Sequence, residues 1–322
     1  MGAPSCTNRV VRNITTAVML RDIIHFDSRQ IDYHPENIWH SINNMTLSII
    51  TINYNNLEGL RKTIDSVISQ TWHNYEWIII DGGSTDGSKE LIEDTAKRLS
   101  NSDFNPLSYW CSEPDKGIYN ALNKGISHCQ GTYINCMNSG DEFYDNTTLE
   151  QVFAFPHSSD IMFGNSFHHS KDKTFISQYP ASINIYFLYH SNICHQAMFV
   201  KTELLTNSPF DEQYRICADY AKWLELMIQG CRFKYVPDMI CRFDMTGMSN
   251  TGDLITIERE KIKTKYIPKY ILPLIHEHDK YTVCGNRLIR AREILSKGGL
   301  LSTILAAFIK FIFFCKKYFQ HE

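Results

Sequence analysis

The stretch Thr132-Tyr-Ile-Asn-Cys-Met-Asn-Ser-Gly-Asp-Glu-Phe143 begins with an apolar run, continues into small and polar residues, and reaches two adjacent acids. That order predicts a buried strand whose end delivers a carboxylate to the edge of a sheet. Ligands of open α/β sheets bind in the crevice at the carboxyl ends of the strands. We therefore expect Asp141 to lie in a ligand-binding cleft.

Three strand–helix units precede this stretch. The predicted strands are Leu47–Ile52, Glu76–Ile80 and Leu107–Cys111, and a predicted helix with one apolar face follows each of them. Alternation of strands and helices is typical of a parallel sheet that helices cover on both faces. The sequence therefore predicts an α/β fold with a mostly parallel central sheet.

Acids follow three of the predicted strands, at Asp81, Asp115 and Asp141. Because parallel strands end at the same edge of a sheet, we expect these three carboxylates to converge. Gly82 and Gly83 come directly after the second strand. Glycine permits a tight turn and a close approach of the backbone to a ligand, so this edge is the predicted binding site.

The second half of the chain has a less regular pattern. Further strands are predicted over 159–164, 173–178, 194–200, 234–237 and 240–243, the last two short and at the sheet edge. A helix is predicted to begin at Asp219, to bury Tyr220, Leu224, Met227 and Ile228, and to end at Gly230. Residues 254–296 are predicted to be helical, with interruptions at Pro268 and Pro273.

The bulk composition narrows the class of protein. The chain has 322 residues, 43% hydrophobic and 21% charged, with a net charge of −3. That balance gives no basic footprint for nucleic acid. The ten cysteines lack the spacing of a zinc site or a disulfide framework. They are interpreted as reduced thiols of a cytoplasmic protein, and no signal peptide is recognised at the N-terminus.

Three regions are predicted: a loosely ordered extension over 1–44, a main domain over 45–250, and a helical region over 251–322. A tail helix is expected over about 299–318. Its apolar run is shorter than the roughly 20 residues that a membrane span needs. We favour a helix lying in the headgroup region of the inner face of the plasma membrane. The alternative is a helix packed on protein.

Four motifs follow one another along the chain: Ser48-Ile-Ile-Thr-Ile-Asn-Tyr-Asn55, Trp77-Ile-Ile-Ile-Asp-Gly-Gly-Ser-Thr-Asp-Gly87, Glu113-Pro-Asp-Lys-Gly-Ile-Tyr-Asn-Ala-Leu-Asn-Lys-Gly125 and Asn138-Ser-Gly-Asp141. Together they resemble family 2 glycosyltransferases of the GT-A fold, and most closely the bacterial branch of colanic-acid-type exopolysaccharide transferases. His195-Gln196 and Ala218-Asp-Tyr220 extend the resemblance, which covers about residues 46–245. Each motif alone is weak, whereas four in order are specific. The resemblance implies a nucleotide-binding half and a smaller acceptor half.

The resemblance also implies roles for individual residues. Donor-nucleotide contacts are implied for Thr51, Tyr54, Asn55, Asp81, Asp115, Asn123 and Lys124. Asp219 is implied as the catalytic base, with His195 beside the diphosphate or the acceptor. Structural interpretations stand beside these roles: strand-end turns for Asp81 and Asp141, and a helix N-cap for Asp219.

Asp141 is implied as the metal ligand, with Mg²⁺ or Mn²⁺ as the cofactor. The family commonly has two acids separated by one residue, and the matching Ser139-Gly-Asp141 keeps only one of them. Because Mg²⁺ usually takes one or two carboxylates and fills its shell with waters and substrate phosphates, the single carboxylate remains compatible with a metal site.

The resulting hypothesis is an inverting sugar transferase that uses a nucleotide-diphosphate donor. Its acceptor would be a saccharide, plausibly lipid-linked, in the biosynthesis of surface polysaccharide or lipopolysaccharide. One alternative is a non-catalytic nucleotide-sugar binding or scaffold protein. A second is a nucleotidyltransferase, which needs a Gly-rich basic loop where Asn53-Tyr-Asn-Asn56 stands. A dinucleotide-binding dehydrogenase is disfavoured because no GxGxxG follows the first strand.

Overall fold

The computed structural model describes residues 46–155, 157–247 and 252–279. The strands are β1 (Leu47–Asn53), β2 (Tyr75–Asp81), β3 (Leu107–Ser112), β4 (Tyr133–Cys136), β5 (Glu142–Phe143), β6 (Ile161–His169), β7 (Thr174–Ser177), β8 (Met198–Lys201) and β9 (Phe233–Asp244). The helices are α1 (Leu57–Ile68), α2 (Ser88–Ser100), α3 (Ile118–Ile126), α4 (Thr148–Val152), α5 (Ile185–His190), α6 (Thr202–Asn207), α7 (Ala218–Ile228) and α8 (Gly252–Tyr266). A single 3₁₀ turn at His195–Ala197 precedes β8.

The first half of the chain forms the parallel part of the sheet, in the order β3-β2-β1-β4. Every residue of β1 and β2 is buried, as expected for strands covered by helices on both faces. Alternate residues of β1 enter two separate apolar clusters, Ile50 and Ile52 on one face and Leu47 and Ile49 on the other. The predicted α/β fold is confirmed.

The second half adds antiparallel strands, so the complete sheet is mixed. β8 pairs antiparallel with both β4 and β6, β7 pairs antiparallel with β6, and β5 pairs antiparallel with β9. β6 and β9 form a further parallel pair. The parallel pairing that the alternation of elements predicted therefore describes the strands of the first half and only one pair of strands in the second half.

Two predicted strands of the second half are a single strand in the structure. Residues 234–237 and 240–243 both belong to β9, which lies between β6 and β5 and is not an edge strand. The register between β6 and β9 shifts between Phe163 and Asn165, which pair with Tyr235 and Met239. Such a bulge accommodates Pro237, which has no N–H to donate to a neighbouring strand.

Helix α7 begins at Ala218, and Gly230 follows its end with a positive φ of 80°. The predicted glycine termination is confirmed, since a left-handed conformation after the last turn favours glycine. Tyr220 and Leu224 are buried as predicted, whereas Ile228 is 43% exposed. The prediction for Ile228 is wrong because the last turn of α7 reaches the surface.

The described part of the C-terminal region is helical. Pro268 follows the end of α8, and Pro273 lies in the first turn of a helix over residues 272–279, where proline is tolerated. Ile262, Ile267 and Ile275 join one apolar cluster with the sheet and α7. The predicted extension (1–44) and tail helix (about 299–318) lie outside the described residues. Among the helices that are described, none has the length and hydropathy to cross a bilayer.

Candidate active site

Asp81 ends β2 and is fully buried. Its Oδ1 accepts hydrogen bonds from Asn53 Nδ2 at 2.7 Å and Ser84 Oγ at 2.6 Å, and its Oδ2 accepts from Ser84 N at 2.9 Å and Ser112 Oγ at 2.6 Å. Burial alone would raise the pKa of Asp81, but these hydrogen bonds outweigh burial and lower it. Asp81 is therefore an ionised carboxylate that joins three segments of the chain. A nucleobase N–H that binds Asp81 would have to share a carboxylate oxygen with one of these four donors or displace it.

Gly82 lies directly beneath Tyr54 and Asp115. A Cβ at Gly82 would lie 2.6 Å from Asp115 Oδ2 and 3.1 Å from Tyr54 Cδ2. The Tyr54 ring is 66% exposed, and Asp115 Oδ1 accepts a hydrogen bond from Gly117 N at 2.8 Å. Because Gly82 has no side chain, an exposed aromatic face and a carboxylate approach the same piece of backbone beside Asp81.

Asn55 supports this corner through its own loop. It has a left-handed backbone, with φ of 47°. Its Oδ1 accepts a hydrogen bond from Thr85 N at 2.9 Å, and its backbone N–H donates to Ser84 Oγ at 2.7 Å. Asn55 thus joins the loop after β1 to the loop after β2, next to Tyr54.

Thr51 and Asn123 lie away from this corner. Thr51 is fully buried, and its Oγ1 accepts a hydrogen bond from Trp77 Nε1 at 3.0 Å. The Asn123 amide donates to Phe210 O and to Glu212 Oε1, both at 2.9 Å, and accepts from Phe210 N at 2.9 Å. Both side chains make internal structural contacts, so the structure does not bring them to the corner formed by Tyr54, Gly82 and Asp115.

Lys124 acts on the segment that carries Asp115. Its Nζ lies 2.8 Å from Glu113 Oε1 and 3.3 Å from Pro114 O. Hydrogen bonding to Glu113 raises the pKa of Lys124. An exposed ion pair of this kind contributes little to stability. In the structure it links residues 113 and 114 to α3.

Asp141 follows β4 and is 4% exposed. Its Oδ2 accepts a hydrogen bond from Gln196 Nε2 at 2.6 Å, and its Oδ1 accepts from Asp244 N at 2.8 Å. Burial raises the pKa of Asp141 to about 7, against the lowering effect of these two hydrogen bonds and of His195. Each carboxylate oxygen keeps one lone pair that no protein donor uses.

The surroundings of Asp141 suit a cation that takes most of its ligands from substrate. The buried oxygens Asn138 Oδ1 and Gln196 Oε1 have no hydrogen-bond partner among the residues that the structure describes, and amide oxygens are ligands for hard cations. No cluster of three or more His, Cys, Asp or Glu side chains suited to a metal occurs among the described residues. The available donor set is therefore one carboxylate and up to two amide oxygens.

Asp219 lies in the first turn of α7 and is 8% exposed. Its Oδ1 accepts from Tyr220 N at 2.7 Å and lies 3.1 Å from the Tyr119 hydroxyl. Its Oδ2 lies 3.5 Å from both His195 Nδ1 and Asn192 Nδ2. The N-cap position belongs to Cys217, and Asp219 is the second residue of the helix. The structural alternative, in which Asp219 is the N-cap, is therefore wrong.

His195 connects Asp219 to the loop after β4. Its Nε2 lies 2.9 Å from Asn138 Nδ2. Because the Asn138 amide N–H donates to Nε2 in this orientation, the ring proton lies on Nδ1, which faces Asp219. The contacts therefore run in the order Asn138, His195, Asp219, from the Asp141 side of the cleft to the start of α7.

These groups line a cavity of about 270 Å³. Its polar lining includes Asn138, His195, Gln196 and Asp219, and its aromatic lining includes Phe175, Tyr179, Tyr220 and Phe243. Arg259 of α8 also lines it. A concave site with apolar rings and a few convergent polar groups is the usual form of a small-molecule site.

Several of these residues received no role from the sequence. Asn138 and Gln196 stand inside quoted motifs, so their position was a usable signal. Ser84 and Ser112 were identified only through their contacts with Asp81. Arg259 lies beyond the stretch that carries the resemblance, and its single charge in a helical pattern gave no signal.

The family model described as "Glycosyl transferase family 2" matches residues 48–208, which is half of the chain. The chain belongs to glycosyl transferase family 2. It is 31% identical over 212 residues to the uncharacterized glycosyltransferase Rv1514c of Mycobacterium tuberculosis, a match that covers 64% of this chain and 77% of the relative.

Solved structures share the GT-A fold with this family 2 chain. TarS 1–349 of S. aureus in complex with UDP-GlcNAc has a TM-score of 0.53 at 15% identity, over 70% of this chain and 73% of that chain. In another crystal structure of S. aureus TarS 1–349, the match spans 60% of that chain. The mannosyltransferase PcManGT from Pyrobaculum calidifontis, in complex with GDP-Man and Mn²⁺, has a TM-score of 0.50 at 15% identity. The match covers 83% of this chain and 79% of that chain.

Proposed function

We propose that this family 2 chain is an inverting glycosyltransferase that moves a sugar from a nucleoside-diphosphate donor to a saccharide acceptor. The observation that carries the proposal is the placement of Asp219. Its carboxylate lines a cavity of about 270 Å³ and is joined through His195 and Asn138 to the strand end that holds Asp141.

Asp219 has the surroundings that a general base needs. Its position in the first turn of α7 stabilises its negative charge. It accepts the proton of the acceptor hydroxyl as that oxygen attacks the anomeric carbon, which is a transfer between groups within hydrogen-bond reach. Attack from the face opposite the departing diphosphate inverts the configuration at that carbon.

The donor nucleotide is proposed to bind at Tyr54, Gly82 and Asp115, beside the anchored carboxylate of Asp81. The exposed ring of Tyr54 offers a stacking surface for a base, and Asp115 offers an acceptor for ribose hydroxyls. Support comes from the fold shared with TarS and PcManGT, which were crystallised with UDP-GlcNAc and with GDP-Man.

A divalent cation, Mg²⁺ or Mn²⁺, is proposed at Asp141. The residues that would hold it are Asp141 and the amide oxygens of Asn138 and Gln196, which have no partner. Bound there, the cation supplies neutralisation of the negative charge on the diphosphate leaving group. PcManGT was crystallised with Mn²⁺. Loss of donor binding on chelation with EDTA, restored by Mn²⁺, is the expected result, and unchanged binding contradicts the metal.

A lipid-linked acceptor, surface polysaccharide or lipopolysaccharide biosynthesis, and contact of residues 300–314 with the inner face of the membrane are also proposed. The membrane contact and the lipid-linked acceptor rest on the apolar run of the tail sequence, and the pathway rests on the resemblance of the motifs to exopolysaccharide transferases. Full-length protein is expected to co-sediment with vesicles that contain anionic phospholipid. Phe308→Asp is expected to reduce co-sedimentation, and equal binding of both proteins would remove the argument for the tail.

The transferase proposal is tested with a panel of UDP-, GDP- and dTDP-sugars in the presence of Mg²⁺ or Mn²⁺. Release of nucleoside diphosphate from at least one donor is expected, first by slow hydrolysis and faster when a saccharide acceptor is added. Donor binding without release for any donor or acceptor would support a non-catalytic binding protein.

A further inference from the structure

The cavity that contains Asp219 includes one guanidinium group from outside the family match. Arg259 lies on α8, beyond residues 48–208. Its Nη2 donates to Ser191 O at 3.2 Å, and its guanidinium carbon lies 4.5 Å from the centre of the Tyr220 ring. In the described parts of the chain, no carboxylate forms an ion pair with Arg259, and no other Lys or Arg lines this cavity.

The preceding residue fixes the position of α8. Glu258 is 5% exposed. Its carboxylate accepts hydrogen bonds from three consecutive backbone N–H groups, those of Arg215 at 2.7 Å, Ile216 at 3.0 Å and Cys217 at 2.9 Å. This segment leads directly into α7 and Asp219. The Arg259 side chain is therefore held at a defined place relative to Asp219 before any ligand arrives.

Arg259 is linked to Asp219 through the Ser191–Asn192 segment. Asn192 Nδ2 lies 3.5 Å from Asp219 Oδ2, and the carbonyl of the adjacent Ser191 accepts a hydrogen bond from Arg259. Arg259 and Asp219 line the same cavity. Because the attacking hydroxyl of the acceptor must reach the proposed base Asp219, we assign a group beside Arg259 to the acceptor.

We propose that Arg259 binds an anionic substituent of the acceptor saccharide, either the carboxylate of a uronic acid or a phosphate ester. This inference rests on the proposed glycosyltransferase function. A planar guanidinium with free N–H donors matches the geometry of both groups. A single charge-assisted hydrogen bond corresponds to about a 10- to 100-fold difference in affinity.

The test uses full-length protein and matched ligands that differ only at carbon 6. The pairs are the methyl glycosides of glucose, galactose and mannose with their uronic acid and 6-phosphate counterparts, and binding is measured by titration with ligand-observed NMR. At least one acidic ligand is expected to bind about 10-fold more tightly than its neutral partner. Arg259→Gln is expected to remove that preference, and Arg259→Lys to keep part of it. Arg61→Gln, at an exposed position of α1, is expected to keep all of it.

Two results would overturn the proposal: no preference for any acidic ligand, or a preference that persists in Arg259→Gln. A second arm measures UDP and GDP binding by the same variants. Weaker nucleotide binding in Arg259→Gln, with glycoside binding unchanged, would assign the arginine to the donor diphosphate and overturn the acceptor assignment. Acid preference without any release of nucleoside diphosphate by the wild-type protein would contradict the transferase function and leave the anion site standing.

Discussion

Asp81 and Asp141 are both buried acids at strand ends, yet their surroundings act on them in opposite directions. Four hydrogen bonds lower the pKa of Asp81, whereas burial raises the pKa of Asp141 to about 7 because only two hydrogen bonds oppose it. The Asp81 carboxylate is fully used in holding its loop. Asp141 keeps lone pairs available, and a bound cation would favour its ionised form. The two acids are therefore suited to different tasks, anchoring and ligation.

Gly82→Ala tests the proposed nucleotide corner. The new Cβ would lie 2.6 Å from Asp115 Oδ2, which is the end of a movable side chain. We expect Asp115 to be displaced and affinity for UDP or GDP, measured by calorimetry, to fall about 10-fold. Stability should change by less than about 0.5 kcal/mol, since the other close group, the Tyr54 ring at 3.1 Å, is 66% exposed and can move without disturbing the core.

Gly247→Ala is the matched control for this change, because a Cβ at Gly247 meets no atom of the described residues within 4 Å. Nucleotide affinity in the control should equal that of the wild type. Unchanged affinity in Gly82→Ala would show that Asp115 does not take part in nucleotide binding.

Motif membership alone did not show which side chains face the cleft. Thr51 and Asn123 belong to the quoted motifs, but their polar atoms are bound to Trp77 and to residues 210 and 212. These partners are distant in sequence, so the local pattern contained no information about them. Asp115 reaches the backbone of Gly82, next to Asp81, as the common edge of the parallel strands β2 and β3 predicts. Asp141 lies in the loop between β4 and β5.

At the scale of elements, α8 is attached to the site by one buried carboxylate. Glu258→Ala removes the acceptor for three backbone N–H groups of residues 215–217. Unsatisfied buried donors are costly, so we expect a loss of about 2–4 kcal/mol of unfolding free energy in urea titrations. Sugar transfer should fall more than nucleotide affinity, because this segment leads into Asp219.

Glu260→Ala is the control on the same helix, since Glu260 pairs with Lys263 and is 64% exposed. Its unfolding free energy should change by less than about 0.5 kcal/mol. Equal effects of the two substitutions would contradict the special position of Glu258.

Asp160 joins three strands of the second half of the chain. We expect its contribution to stability to depend on pH. It lies just before β6, accepts from Arg232 N at 2.9 Å at the start of β9, and pairs with Lys201 of β8 at 3.1 Å. Burial would raise the pKa of Asp160, but hydrogen bonds from Arg232 and Lys201 lower it to about 2. A lowered pKa means that the stabilisation is present above the ordinary value of 3.8 and is lost as the pH falls towards 2.

We expect Asp160→Asn to lower the unfolding free energy by about 1 kcal/mol at pH 7, after allowance for solvent screening. The difference from the wild type should shrink between pH 4 and pH 2, as measured by urea titration. Asp94→Asn serves as the control, because Asp94 is 80% exposed and lies 3.7 Å from Lys97. A difference that is constant with pH would contradict the ionic origin of the effect.

For the whole molecule, the first half of the fold was predictable from sequence and the second half was not. Strands β1 to β4 are short, rich in apolar residues and separated by helices, so the local pattern predicts where they lie and that they pair parallel. The antiparallel pairing of β6 with β8 and the parallel pairing of β6 with β9 join residues up to 75 positions apart. The bulge at Pro237 depends on a neighbouring strand that no local pattern specifies.

The site itself combines the two halves. The proposed nucleotide corner comes from the loops after β1, β2 and β3, whereas the proposed base and its partners come from α7, the turn before β8, and α8. Sequence reasoning placed Asp219 at the beginning of a helix but could not place Asn192 or Arg259 beside it. Those neighbours follow from tertiary packing, above all from the docking of α8.

The central claim is that Asp219 is the base of a sugar transfer reaction, and Asp219→Asn tests it most directly. Two quantities are measured for the wild type and for Asp219→Asn: the initial rate of nucleoside diphosphate release with acceptor, and the dissociation constant for UDP or GDP. Asp103→Asn, at an exposed position, is the control. We predict a rate loss of at least about 100-fold, with nucleotide affinity and unfolding midpoint close to those of the wild type. Activity within about threefold of the wild type would contradict the account.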